Sequence, residues 1–191
     1  MTTEMRKTGV DVVGDIPWGT HFCLFYETKA DLLEIYWSPT AKLDWSYEFC
    51  LWVVAEPLAV EDARRALRRA VPDFDRYIAD HSIEIVAARY WYLQEGTFDL
   101  NRVIGGWNEK LARASARGYA GVRVTGDTAW LEKKDWKDFC EYEDSLNQAV
   151  SGLFTRAIHP TADSRLSVTT LQRAVTLPLP RSGRVCLARA R

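Results

Sequence analysis

No run of about eighteen consecutive apolar residues occurs in this 191-residue chain, and residues 1–13 hold no hydrophobic stretch followed by a small-residue cleavage site. The sequence therefore reads as neither membrane-spanning nor secreted, and a cytoplasmic location is expected. Cysteine is scarce: the four residues Cys23, Cys50, Cys140 and Cys186 form no Cys-x-x-Cys pair. That spacing excludes a zinc ribbon and a disulfide framework, and leaves buried thiols as the expectation. Charge of one sign is also missing. A formal net charge of -1 gives the whole chain no electrostatic footprint for nucleic acid. Finally, no GxxxxGK[ST] follows a strand-like run and no GxGxxG opens a helix-like one, so phosphate has neither of its usual glycine cradles.

What is present is enough chain, 47% of it hydrophobic, to bury the core of one globular domain. The near-neutral total hides an asymmetry. Residues 151–191 carry seven arginines and one acid, Asp163, so this tail is net +6 and the rest of the chain is net -7.

Residues 1–13 form a polar leader without periodicity and are expected to be disordered. Turn residues around Pro17 and Gly19 lead into His21-Phe22-Cys23-Leu24-Phe25-Tyr26, a continuous apolar run of strand length. Thr28 and Asp31 resemble a capping box with a shortened acid, ahead of Leu32, Leu33, Ile35 and Tyr36 at helical spacing; Pro39 interrupts or kinks that helix. EFCLWVV, residues 48–54, reads as a second buried strand with Glu56-Pro57 at its carboxyl end. Residues 60–71 are strongly helical, with acids first and arginines last as the helix dipole prefers. IEIVAA, residues 83–88, gives a third strand, ending in Arg89-Tyr90-Trp91-Tyr92. Asp99 caps a helix whose Val103, Ile104, Trp107 and Leu111 recur at intervals of three and four. A fourth strand at residues 121–125 runs into the turn Thr125-Gly126-Asp127, and a last helix spans residues 134–150. Strands alternating with helices imply parallel pairing through right-handed crossovers, hence a three-layer α/β sandwich with a mainly parallel central sheet.

Ligands in such sheets settle outside the carboxyl ends of the strands. The strand ends carry His21 with Tyr26 and Glu27, then Glu56, then Tyr90, Trp91 and Tyr92, then Asp127, Trp130 and Glu132. An apolar pocket of Trp18, Phe25, Trp91, Tyr92, Trp107 and Trp130 is expected, with His21, Glu56 and Asp127 as sparse polar anchors. Each aromatic taken singly is also what a core requires. Two other chemistries fit the residues less well. A residual ATPase lacks the cradle and lysine that phosphoryl transfer depends on. A metal or haem sensor could use His21 and Cys23, which share a strand face, with Cys140 or His159, but four-ligand spacing is missing.

Together, GDIPWGTHFCLFYETKADLL, EFCLWVVAEPL, WYL followed by GTFD, RVIGGW and RGYAGVRVTGDTAWLEKKDW resemble the MEDS domain, the sensory domain named for methanogen and methylotroph proteins and for the dichloromethane-responsive repressor DcmR. The resemblance runs over residues 14–150. It implies a module related to the RecA and KaiC ATPase core whose phosphate-binding loop has degenerated, residues 27–31 standing where that loop and its lysine would be, and Glu56 where such ATPases keep an acid. It further implies a non-catalytic domain without a cofactor that perceives a small hydrocarbon or one-carbon derivative. Output would pass through a homodimer, a histidine kinase or a transcription regulator, since the chain shows no helix-turn-helix and direct contact with nucleic acid is not expected. Two stretches depart from the family pattern. YWSPTAKLDWSY replaces an uninterrupted amphipathic helix. From Gly152 onward an Arg-, Pro-, Ala- and Leu-rich tail, natural divergence or the product of a shifted reading frame, replaces the last strands, with only residues 153–158 and 166–175 reading as weak elements.

Overall fold

The computed structural model describes residues 5–7, 14–17, 19–26, 28–30, 32–33, 47–150, 166–173 and 185–189. Strand β1, Met5–Lys7, pairs antiparallel with β2, Asp15–Pro17. The leader was expected to be disordered, and part of it instead closes a small ribbon. Backbone bonds hold such a pair, so it leaves no mark in side-chain periodicity.

Six further strands build the main sheet: β3 (His21–Tyr26), β4 (Glu48–Val54), β5 (Ile83–Ala87), β8 (Gly121–Asp127), β9 (Leu166–Arg173) and β10 (Val185–Arg189). Between them, β6 (Leu93–Gln94) and β7 (Thr97–Phe98) form a short hairpin. The order across the main sheet is β10-β3-β9-β8-β4-β5, and every neighbouring pair is parallel. Helices α1 (Val60–Ala70), α2 (Phe74–Ala79), α3 (Ala88–Trp91), α4 (Leu100–Ala116) and α5 (Trp136–Val150) complete the three layers.

Strand β4 shows why the sandwich forms. Its Phe49, Leu51 and Val53 join Val122 and Val124 of β8 in one core, which also takes Val103 and Trp107 of α4 and Phe139, Tyr142 and Leu146 of α5. Its Cys50, Trp52 and Val54 join Ile83 and Ile85 in the opposite core, with Ala63 and Leu67 of α1 and Phe74 of α2. Side chains alternate across a strand, so a strand covered on both faces must be apolar at every position, as EFCLWVV nearly is. Each aliphatic side chain buried this way contributes about 1.5–3 kcal/mol.

The helices end where their sequences say they should. In α1, Glu61 and Asp62 occupy the first turn and Arg68 and Arg69 the last, each matched to the local sign of the helix dipole. The Asp99 carboxylate accepts the Arg102 amide at 2.8 Å and caps α4. Strand β5 stops one residue short of its expected end, because residues 88–91 wind into α3, with the Tyr92 amide donating to the Ala88 carbonyl at 2.7 Å.

The tail departs most from expectation. Far from leaving the sheet short of its last strands, it supplies two: β9 lies between β3 and β8, and β10 pairs with the outer side of β3. LSVTTLQR carries a weak hydrophobic signal, but an inserted strand is held through its backbone on both sides. The expected weak element at residues 153–158, the helix beyond residue 33 with Pro39, and the YWSPTAKLDW part of the first departure all lie outside the described residues.

Candidate functional site

Strand β8 delivers Asp127 to the carboxyl rim of the sheet, where it is fully buried. The Tyr26 hydroxyl, at the end of β3, lies 3.1 Å from each carboxylate oxygen, and the Ala129 amide donates to Oδ1 at 2.9 Å. Burial pushes the Asp127 pKa up to about 7, against the opposite pull of the Ala129 and Ala55 amides and the Tyr26 hydroxyl. Near neutral pH this acid therefore sits at its own titration point. Residue 126 has to be glycine, since a Cβ there would collide with the Tyr92 hydroxyl.

Beside this acid lies an aromatic layer. Tyr92 stacks on Trp130 with ring centroids 4.8 Å apart, Phe98 stacks on the same indole at 5.3 Å, and Phe139 meets it edge-on at 5.9 Å. Trp91 packs on Trp107 at 4.5 Å, and the Trp107 Nε1–H donates to the Tyr142 hydroxyl at 2.9 Å. Burial, reinforced by the charge of Glu143, raises the Tyr92 pKa above its ordinary value. Burial does the same for Tyr142, with Tyr92 and Glu143 adding to it. These rings fill one another's space. Arg102 of α4 fixes their attachment to the sheet by donating to the carbonyls of Trp91 at 2.9 Å and Tyr92 at 2.7 Å.

An open crevice of about 640 Å³ lies next to them, at the carboxyl ends of β4 and β5. Topology puts it there. Val54 and Ala87 end their strands side by side. The chain leaving β4 then enters α1, packed on one face of the sheet, and the chain leaving β5 leads to α4, packed on the other. Two adjacent strands whose continuations part to opposite faces leave a gap between them, which is where ligands bind in open α/β sheets. Val54, Leu58, Ile85 and Ala87 give the crevice an apolar lining, to which Glu56, Glu61, Arg64, Arg89, Tyr90 and Trp130 add polar groups.

Of the residues expected at the strand ends, Glu56, Tyr90 and Trp130 line this crevice together. Tyr26 and Asp127 share its rim of the sheet but are buried against each other. Tyr92 and Trp107 are core residues, with Trp91 packed against that core. Phe25 is a partly buried residue of β3. Glu132 is exposed and paired with Lys134 at 3.0 Å. His21 is misplaced by the sequence reading: it opens β3, on the rim opposite Tyr26, roughly 16 Å away at about 3.3 Å per residue. There its Nδ1 lies 2.5 Å from the Asn147 Oδ1 and its Nε2 3.7 Å from Glu143, both on α5. Trp18 and Glu27 fall outside the described residues. Sequence reasoning passed over Leu58, Val60 and Arg64. Their signal was positional: whatever follows a strand's carboxyl end at once must stand over the crevice.

Where a phosphate lysine was expected to be lost, Lys29 is present, and its ammonium lies 2.5 Å from Asp62 of α1, holding that carboxyl below its ordinary range. Among the described residues no group of three or more His, Cys, Asp or Glu side chains could hold a metal ion. No described helix is long and apolar enough to cross a membrane.

The profile of the MEDS family, described as the methanogen/methylotroph, DcmR sensory domain, matches residues 20–160. Among solved structures, a KaiC-like protein from the hyperthermophilic archaeon Pyrococcus horikoshii OT3 superposes with a TM-score of 0.55 at 15% identity, over 91% of this chain and 73% of that one. At that identity the likeness is one of fold. No curated protein matches the chain.

Proposed function

The chain belongs to the MEDS family of sensory domains, and from that premise we propose that it is a non-catalytic receptor for a small, mainly apolar molecule held in the crevice between β4 and β5. The crevice itself carries this reading: a lining mostly of aliphatic side chains and backbone, with Glu56, Glu61, Arg64, Arg89, Tyr90 and Trp130 as its polar groups, is the composition of small-molecule sites. Size narrows the class. At about 640 Å³ it falls in the roughly 300–1,000 Å³ range of pockets for drug-sized ligands, which favours a hydrocarbon derivative of several carbons over a one-carbon compound. Against phosphoryl transfer, Lys29 is paired with Asp62 and stands in no glycine-rich cradle. The signal passes to a partner, a second copy of the chain, a histidine kinase or a transcription regulator.

Thermal melting of the full chain tests this against a panel of halogenated, methylated and longer-chain hydrocarbon derivatives, with ATP and magnesium alongside. A binder raises the melting temperature by mass action. The expected result is a rise with a longer-chain member of the panel, none with ATP, and loss of the rise in Ala87→Leu, which narrows the crevice. A panel without effect, or an Ala87→Leu variant that responds like the parent, counts against the site.

A further inference from the structure

Given that the crevice between β4 and β5 is the ligand site, we propose that its occupant is a carboxylic acid with an apolar body, the carboxylate taken by the open edge of the Arg64 guanidinium. Arg64 stands on the second turn of α1 and lines the crevice. Its Nη1 donates to Glu61 Oε1 at 3.2 Å, one turn back along the helix. That bond orients the guanidinium and occupies one corner of it. The opposite edge is formed by Nε and Nη2, and the Arg64 Nε is buried with no hydrogen-bond partner among the described residues. A buried donor left without an acceptor costs free energy that an entering acceptor recovers.

The same edge already binds a carboxylate elsewhere in this protein. Arg68, one turn further along α1, donates to the Asp75 carboxylate from Nε at 3.0 Å and from Nη2 at 2.7 Å. A planar fork of this kind meets a carboxylate with two charge-assisted hydrogen bonds, and on Arg64 it has no protein acid to take.

The other polar groups of the crevice agree. Arg89 lies over the Tyr90 ring at 4.8 Å and has no acid partner among the described residues. Trp130 is held by stacking on Tyr92 and Phe98, and its Nε1 is also buried without a partner. With Glu61 engaged by Arg64, three side chains offer N–H groups against the one remaining carboxylate, Glu56. Such a lining calls for an acceptor, while Val54, Leu58 and Ile85 call for an apolar body behind it.

Isothermal titration of the full chain with butanoate, octanoate and phenylacetate, each beside its primary amide, tests the head group with the body held constant. At least one carboxylate should bind about tenfold or more tighter than its amide. Arg64→Met should bring that carboxylate down to the level of the amide, Arg64→Lys should recover only part of the loss because a point charge replaces the fork, and Glu56→Gln should tighten binding by removing the like charge. Arg64 is half-exposed and its protein partner Glu61 is exposed, so these Arg64 variants should melt within a degree or two of the parent without ligand. Equal binding of acids and amides, lost in Ala87→Leu, overturns the carboxylate assignment and leaves the crevice standing as the site. Carboxylate binding that survives Arg64→Met overturns the assignment to Arg64, and if it also survives Ala87→Leu the crevice falls with it. No binding by any of the three acids overturns the proposal, whatever the wider hydrocarbon panel shows for the crevice.

Discussion

Asp127 gives the clearest consequence at the scale of one residue. Its pKa is about 7 in the folded chain and about 3.9 when unfolded, so over that window the folded state holds a proton that the unfolded state has released. Stability is therefore greatest at the acid end and declines as pH rises from about 4 through 7, by up to about 1.4 kcal/mol per pH unit. Asn keeps the shape and cannot ionise. Asp127→Asn should flatten the decline, and urea denaturation of both proteins at several pH values should show the variant gaining on the parent towards neutral pH. The acid itself was legible, because a short β-branched strand ending in Thr-Gly-Asp sets a carboxylate at a strand's carboxyl end. Its partner was not. Tyr26 is 101 positions away in sequence, and a hydroxyl's reach across β9 is invisible in spacing. His21 fails for a related reason: one strand has two ends, and composition does not say which side chains stand at the rim that matters.

At the scale of an element, α3 gives Ala88, Arg89 and Tyr90 to the lining of the crevice, and the Arg102 guanidinium binds the end of α3 to α4 through the carbonyls of Trp91 and Tyr92. Hydrogen bonds from a charged donor are each worth about 1.5–3 kcal/mol. Arg102→Leu should therefore destabilise the protein by about 2–4 kcal/mol and speed amide exchange over residues 88–98 while α5 stays protected, with Arg102→Lys in between because it replaces a planar fork by a point charge. Hydrogen exchange with mass detection reads both; uniform faster exchange along the chain would mean that Arg102 does not act as a local latch. The strands at residues 21–26 and 48–54 and the Asp99 cap could be read directly, since strand runs and caps are local patterns. The short helix α3 could not, because ARYW has no period long enough to show one.

At the scale of the molecule, strand order decides what can be removed. Strand β9 lies between β3 and β8, so residues 1–150 alone would leave β3 without a neighbour on that side and β8 with an open edge. Truncation after Val150 should give a chain without a cooperative thermal transition, whereas the full chain should show one; circular dichroism melts distinguish the two. A cooperative melt in the truncated chain would show that the sheet closes without β9.

The sequence by itself determined that this is a three-layer α/β sandwich with the strands β3, β4, β5 and β8, the caps and dipole-matched ends of its helices, and its likeness to a sensory family. Those follow from periodicity and residue chemistry over a few neighbouring positions. The tertiary structure alone decided that the tail contributes an inner strand, that most of the expected pocket aromatics pack against one another, and that the open space lies between β4 and β5. Those outcomes depend on which strands pair and to which face each connection departs, and pairing between distant segments is fixed by the packing of the whole chain.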